Sequence, residues 1–208
     1  MDYRRFPLGP LWTNGYIFWD KDGAAFFVDP GGDPEDVINW INRENLSLKA
    51  IILTHGHADH IAGAAKLLEE FQCELMVNKD DEPMLSNGEK NLSVNLGTEC
   101  PPILATGYLA HGETFSVGTM DLKVIHTPGH TMGSCCLLVT DEGRSVLITG
   151  DTLFARSIGR TDLPGSVPDL MAGSLNLFMD MDDDLKVLPG HGPETSLKVE
   201  KRENPFLS

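Results

Sequence analysis

The sequence predicts an α/β fold, an αββα sandwich of two mixed β-sheets flanked by helices. Three observations lead there. Apolar runs of strand length alternate with helical periods along most of the chain. Some neighbouring strands are joined by tight turns and others by helices. Such a mixture suits packed sheets with outer helices better than a doubly wound parallel sheet. Finally, 208 residues with 41% hydrophobic content can fill a sizeable core. No repeat, low-complexity stretch or linker divides them, so one domain spanning 1–208 is expected.

The elements follow in order. "NGYIFWDKDGAAFFVDPGG" is a hairpin, with two apolar runs around a "DKDG" turn that ends in Gly23. "GDPEDVINWINREN" is a helix: Asp33 can cap it, Pro34 fits the first turn, and Val37, Ile38 and Ile41 form one apolar face. "KAIILT" is a buried strand by composition. Ile61, Ala64, Leu67, Leu68 and Phe71 then repeat at helical spacing, and "CELMVN" is another strand. Residues 79–112 are less regular, with a short helix expected at "DEPMLS" and a loop at "TECPPILATGYLAHG". Three strands follow in "DLKVIHT", "SCCLLVT" and "RSVLITG". "PDLMAGSLNLFMDM" is a helix and "DLKVLPG" the final strand.

Composition narrows the function classes. Sixteen Lys and Arg against 31 Asp and Glu give a net charge of −15, which repels phosphate backbones and argues against nucleic acid. No apolar run approaches the roughly 20 residues of a membrane-spanning helix, so no membrane partner is expected. The opening "MDYRRFPLGPLW" lacks a continuous apolar segment and contains Pro7 and Pro10; no secretory signal is read, and a cytoplasmic location is the default. Cys73, Cys100, Cys135 and Cys136 form no CxxC pair, and a domain of this size needs no disulfide. "MDMDDDLK" is read as a solvated loop, since it lacks the glycine and spacing of a calcium loop.

The chemistry concentrates at strand ends. "LTHGHADHIAG", residues 53–63, places His55, His57, Asp59 and His60 after an apolar strand. Crowded imidazoles lower one another's basicity unless a cation takes their lone pairs, and a divalent metal is the natural candidate. Residues two apart in extended chain point the same way, so His55 and His57 can grip one ion. Asp59 and His60 fall where the next helix begins and can serve another. Three later segments repeat the pattern of strand, glycine-containing turn and ligand-type side chain: "LKVIHTPGHTMGS" with His130, "SVLITGDTLF" with Asp151 and "LKVLPGHGPE" with His191. His55, His57 and His130 make a three-nitrogen set. Asp59, His60 and His191 make a mixed one, and Asp151 can bridge the two. Two divalent ions are expected, zinc first, with iron or manganese fitting the same ligand types.

This HxHxDH motif, followed in order by GH, GD and GH, resembles the metallo-β-lactamase superfamily over residues 14–205. The resemblance implies the αββα fold and carries the ligand roles onto His55, His57, Asp59, His60, His130, Asp151 and His191, with Asp59 and Asp151 as the catalytic carboxylates. A two-metal centre brings water to hydroxide near neutral pH, and the metals can hold a carbonyl oxygen as it turns negative. The expected substrate is an activated carbonyl.

Departures narrow the branch. Asp151 stands where the best-known zinc β-lactamases carry cysteine, which disfavours antibiotic hydrolysis. His57 is not the glutamate of flavodiiron oxygen reductases, and the length leaves no room for the inserted domain of the nucleases. "TPGHTMGS", "GDTLF" and "ENPFL" are similar to glyoxalase II, and "SIGRTDLPG" to its short, single-domain members. That resemblance implies hydrolysis of a small-molecule thioester such as S-lactoylglutathione by a monomer or homodimer. A thiolate, with a pKa of about 8.5, leaves without a strong general acid. Only 208 − 191 = 17 residues follow His191, so the glutathione contacts of a C-terminal helical region are not carried over. The alternatives are a mononuclear-iron persulfide dioxygenase, which shares the "GRTD" element and would use His55, His130 and Asp151, and a lactonase-type hydrolase.

Other residues receive plainer roles. Arg160 and Asp162 pair to fix the loop after Asp151, and Arg156 lies at the surface. His126 is a core histidine or supports a ligand, while His111 is a turn residue. Asp29 either shapes its turn or sits near the metals. Thr131 and Ser134 satisfy turn backbone groups. Segments 79–112 and 153–168 are the candidate covers of the site.

Overall fold

In a computed structural model, which describes residues 1–207, the strands assemble into two six-stranded sheets. The first runs in chain order: β1 (Asp2–Leu8), β2 (Thr13–Trp19), β3 (Ala24–Val28), β4 (Ser47–Ile52), β5 (Glu74–Val77) and β6 (Gly107–Tyr108). Its pairs are antiparallel up to β3 and parallel from β3 to β6. The second holds β7 (Thr114–Val117), β8 (Met120–His126), β9 (Cys135–Asp141), β10 (Arg144–Gly150), β11 (Lys186–Pro189) and β12 (Thr195–Ser196). Only β10 and β11 pair parallel there. Both sheets are therefore mixed, as the alternation of turns and helices predicts.

The period-two alternation of each strand separates three apolar layers. Phe18, Phe26 and Ile52 face Leu122, Leu137 and Ile148 between the sheets. Their neighbours Ile17, Phe27 and Ile51 face outward onto Val37 and Ile41 of α1 (Glu35–Arg43), Ile61 of α2 (Ala58–Ile61) and Leu67 of α3 (Ala64–Phe71). On the other side Cys136 and Leu147 meet Leu175 of α5 (Pro168–Asn176) and Leu197 of α6 (Leu197–Glu203). Cys135 and Cys136 thus lie in different layers as free thiols. Each large aliphatic or aromatic side chain buried this way contributes about 1.5–3 kcal/mol. No helix among the described residues is long and apolar enough to cross a membrane.

Several expectations need correction. The N-terminal segment is a strand, β1, paired along β2 from Asp2↔Trp19 to Leu8↔Thr13. Its exposed arginines and Pro7 hide the alternation, and an edge strand tolerates both. The expected helix at "DEPMLS" is a 3₁₀ turn, Lys79–Met84, started by Asn78, whose side chain accepts from the amide of Asp80. The long loop contains β6, and α4 (Ser93–Leu96) lies just before it. β11 is not the final strand, because β12 and α6 follow it. The helical period after the histidines is split into α2 and α3 around Gly63. At α1 the N-cap position is taken by Pro34, while Asp33 accepts from the amide of Glu35 at 3.3 Å.

Candidate metal centre

The turns that follow β4, β8, β10 and β11 converge at one rim of the sandwich. Backbone bonds bind them together: Cys135 N donates to Thr54 O at 2.8 Å, and Gly190 N to Gly150 O at 2.8 Å. Asn14, at the start of β2, holds the last turn by donating from Nδ2 to the carbonyls of Pro189 and Gly192, both at 2.9 Å. Gly190 is required by close approach rather than by backbone angle. A Cβ there would lie 2.3 Å from Asp151 Oδ1 and 2.8 Å from His60 Cε1.

All seven predicted side chains meet at this rim. His57 Nδ1 lies 2.9 Å from His130 Nε2, and His55 completes a set whose ligand atoms all lie within 4.8 Å of one another. A second set joins Asp59, His60 and His191. His60 Nε2 is 3.3 Å from His191 Nε2, which is 3.2 Å from Asp59 Oδ2. Asp151 stands between the two sets, with Oδ1 3.3 Å from His60 Nε2 and Oδ2 3.4 Å from His130 Nε2.

The protonation states follow from what surrounds each ring. Burial, and then the neighbouring His60, His130 and His57, hold the His55 imidazole well below its ordinary basicity. Burial and His130 push His57 down to about 3. Both rings stay neutral and keep lone pairs. Burial also opposes charge on His60, but Asp151, Asp59 and Asp29 outweigh it and raise that imidazole well above its usual range. Burial would raise Asp151 and Asp59, yet the imidazoles around them, His60 first, keep both carboxylates below the usual range.

Hydrogen bonds outside the sets select the nitrogen that points inward. His130 Nδ1 donates to the carbonyl of Arg160 at 2.7 Å, leaving Nε2 free. His60 Nδ1 donates to Asp29 Oδ2 at 2.9 Å. Thr54 Oγ1 donates to the same Asp29 oxygen at 2.7 Å and lies 3.2 Å from His55 Nδ1. Asp29 therefore belongs beside the ligands, and with φ 55° it shapes its turn as well. His55 Nε2 and Asp151 Oδ1 are buried with no hydrogen-bond partner. Lone pairs crowded together, orphaned and aimed at common points fit divalent cations.

Residues missed in the sequence complete the support. Asp81, in the 3₁₀ turn, is buried and accepts from Gly56 N at 2.9 Å, Gly133 N at 2.8 Å and Thr131 Oγ1 at 2.7 Å. One carboxylate thus joins the turns of His57 and His130. No local spacing could reveal a bond between positions so far apart. Thr13 Oγ1 approaches Asp59 Oδ2 at 3.3 Å.

The remaining candidates take supporting places. Arg160 and Asp162 pair through two bonds of 2.8 and 3.0 Å, as expected. Arg156 is at the surface, paired with Glu203. His126 lies outside both sets, with Nε2 2.7 Å from Met132 O, and His111 Nδ1 accepts from His126 N at 3.2 Å. Thr131 and Ser134 do close their turn, Thr131 N donating to Ser134 Oγ at 3.1 Å.

A cavity of about 340 Å³ opens onto His57, Asp59, His130, Asp151 and His191, while His55 and His60 lie buried behind them. Segment 79–112 contributes Leu92 and Leu96, and segment 153–168 contributes Phe154, Ser157, Ile158, Arg160 and Leu163. The turn after β1 adds Leu11, a contact not foreseen.

Comparison with known proteins agrees with this arrangement. The family model described as the metallo-beta-lactamase superfamily matches residues 8–192. The hydroxyacylglutathione hydrolase GloC of Haemophilus influenzae is 32% identical, with 100% of this chain and 99% of that one covered. The crystal structure of the B3 metallo-beta-lactamase BLEG-1 superposes with a TM-score of 0.92 at 35% identity, covering 100% of both chains. A protein crystallised in a di-iron-bound form gives 0.86 at 33% identity, covering 98% of this chain and 100% of that one.

Proposed function

Since this chain belongs to the metallo-beta-lactamase superfamily, we propose that it is a two-metal hydrolase that cleaves a small-molecule thioester of the S-lactoylglutathione kind. The observation that carries the reading is the pair of ligand sets joined by Asp151, with His55 Nε2 buried without a hydrogen-bond partner and Asp151 lining an open cavity. The likeness to GloC supports the thioester as substrate.

His55, His57 and His130 would hold one cation and Asp59, His60 and His191 the other, with Asp151 reaching both. Cations held there supply an activated water as nucleophile and positive charge for the oxygen of the attacked carbonyl. The chain's own part is preorganisation. The carbonyl of Arg160 and the carboxylate of Asp29 keep the Nδ1 protons of His130 and His60 turned away from the centre. Asp59 stays ionised at the cavity wall, and Thr13 Oγ1 steadies the Oδ2 that it turns to the second set. A thiolate leaving group needs no acid residue, because its pKa of about 8.5 makes it stable enough to depart alone.

The test is turnover of S-lactoylglutathione, followed by loss of thioester absorbance, on protein whose metal content has been measured. Two ions per chain with turnover supports the reading. Two ions without turnover overturns it. One iron per chain with oxygen uptake on glutathione persulfide would assign the dioxygenase instead. The similarity to BLEG-1 favours a β-lactam as the second substrate class, to be assayed in parallel.

A further inference from the structure

The cavity over the ligand sets joins two kinds of lining. Beside the histidines and carboxylates it is lined by Leu11, Leu92, Leu96, Phe154, Ile158 and Leu163, contributed by three separate stretches of chain. Leu11 and Leu96 remain 46% and 38% exposed. Single exposed apolar residues are ordinary, but six converging on a reacting centre mark a binding wall.

Charge points the same way. Among the described residues Arg160 is the only Lys or Arg side chain lining this cavity, and both oxygens of Asp162 engage its guanidinium. The chain as a whole carries −15. An acyl chain ending in a carboxylate would lay that charge against Leu11, Leu92, Leu96 and Leu163, where desolvating it unpaired is costly.

We propose that this wall selects thioesters whose acyl group is an uncharged aliphatic chain, lying along Leu11, Leu92, Leu96 and Leu163, over acyl groups that carry charge. The inference rests on the hydrolase reading for the word thioester, but the wall's selectivity can be measured without turnover. The probes are the product acids: acetate, butanoate and hexanoate, with adipate as a hexanoate analogue charged at its far end. They are titrated calorimetrically into the metal-loaded protein.

Affinity should rise about twofold to fourfold for each added methylene, the gain from burying that surface. Adipate should bind no better than acetate. In Leu96→Ser and Leu163→Ser the ratio of hexanoate to acetate affinity should fall severalfold; comparing ratios within one protein removes any change in metal content or folded fraction. Equal affinities across the series, or adipate tighter than hexanoate, would overturn the proposal. The same acids as thioesters of a neutral thiol separate the two readings. Chain-length dependence in binding without turnover sinks the hydrolase and keeps the wall; turnover without chain-length dependence does the reverse.

Discussion

Asp29 receives two hydrogen bonds on one oxygen, from Thr54 Oγ1 and from His60 Nδ1, and a third on the other from Thr54 N. Replacing it with alanine frees His60 to rotate and to protonate at either nitrogen. We expect metal affinity to fall about 10- to 100-fold, the usual cost of losing a group that orients a ligand; competition with a chromophoric chelator reads this directly. Asp81→Ala acts differently, because it strands the amides of Gly56 and Gly133 in the interior, while the Thr131 hydroxyl keeps Ser134 Oγ at 2.7 Å. At about 1–3 kcal/mol for each unsatisfied buried group, a loss of roughly 2 kcal/mol or more is expected in denaturant unfolding. The imidazoles also set a pH dependence in metal-free protein. His55 and His57 are held below their ordinary value of 6.5, His57 to about 3. Between those limits the unfolded chain binds protons that the folded one refuses, so stability should fall as pH drops from 6.5 towards 3. His60, raised above 6.5, acts in the window above that value. Its contribution is complete below 6.5 and is lost as pH rises through its folded value, which places the stability maximum of metal-free protein near neutrality. Thermal melts across pH would check the sign.

At the level of elements, the ligands are positioned by strand ends and the turns after them. Gly190 shows how little tolerance those turns have. An alanine there would press on Asp151 Oδ1 and His60 Cε1, so Gly190→Ala should lose bound metal and activity while keeping a native far-UV spectrum. Metal analysis after dialysis distinguishes that outcome from unfolding. The same turns explain what could be read from sequence. Apolar strands ending in Gly-His or Gly-Asp announce themselves locally, and so all seven side chains that converge were foreseen. Asp81, Thr54 and Leu11 were not, because each acts through partners from other turns and nothing in its neighbourhood advertises the contact. β1 was missed for another reason: its alternation is carried by charged and polar residues at a sheet edge, where the apolar signal is weakest.

For the whole molecule, the three apolar layers pack the two sheets together and so bring their turns to one rim. Binding to the folded state alone stabilises it by mass action, about 2.7 kcal/mol at a hundredfold excess over Kd. Chelation should therefore lower the melting temperature by roughly 5–10 °C, at about 2–4 °C per kcal/mol for a chain of this size; calorimetry with and without chelator measures it. The mixed sheets and outer helices were legible because hairpin and βα connections differ in length. The direction of each layer was not, since a run such as "SCCLLV" carries apolar residues to both faces.

The carboxylate of Asp29 has one more consequence. It touches His60 directly and His55 through Thr54, and these two rings, which also meet at Asp151, each complete a different outer set, His55 with His57 and His130 and His60 with Asp59 and His191. An ion that straightens one ring tightens the shared acceptor and so steadies the other. Loading should then be cooperative, with apo and doubly filled molecules dominating a native mass spectrum at half saturation and singly filled ones scarce.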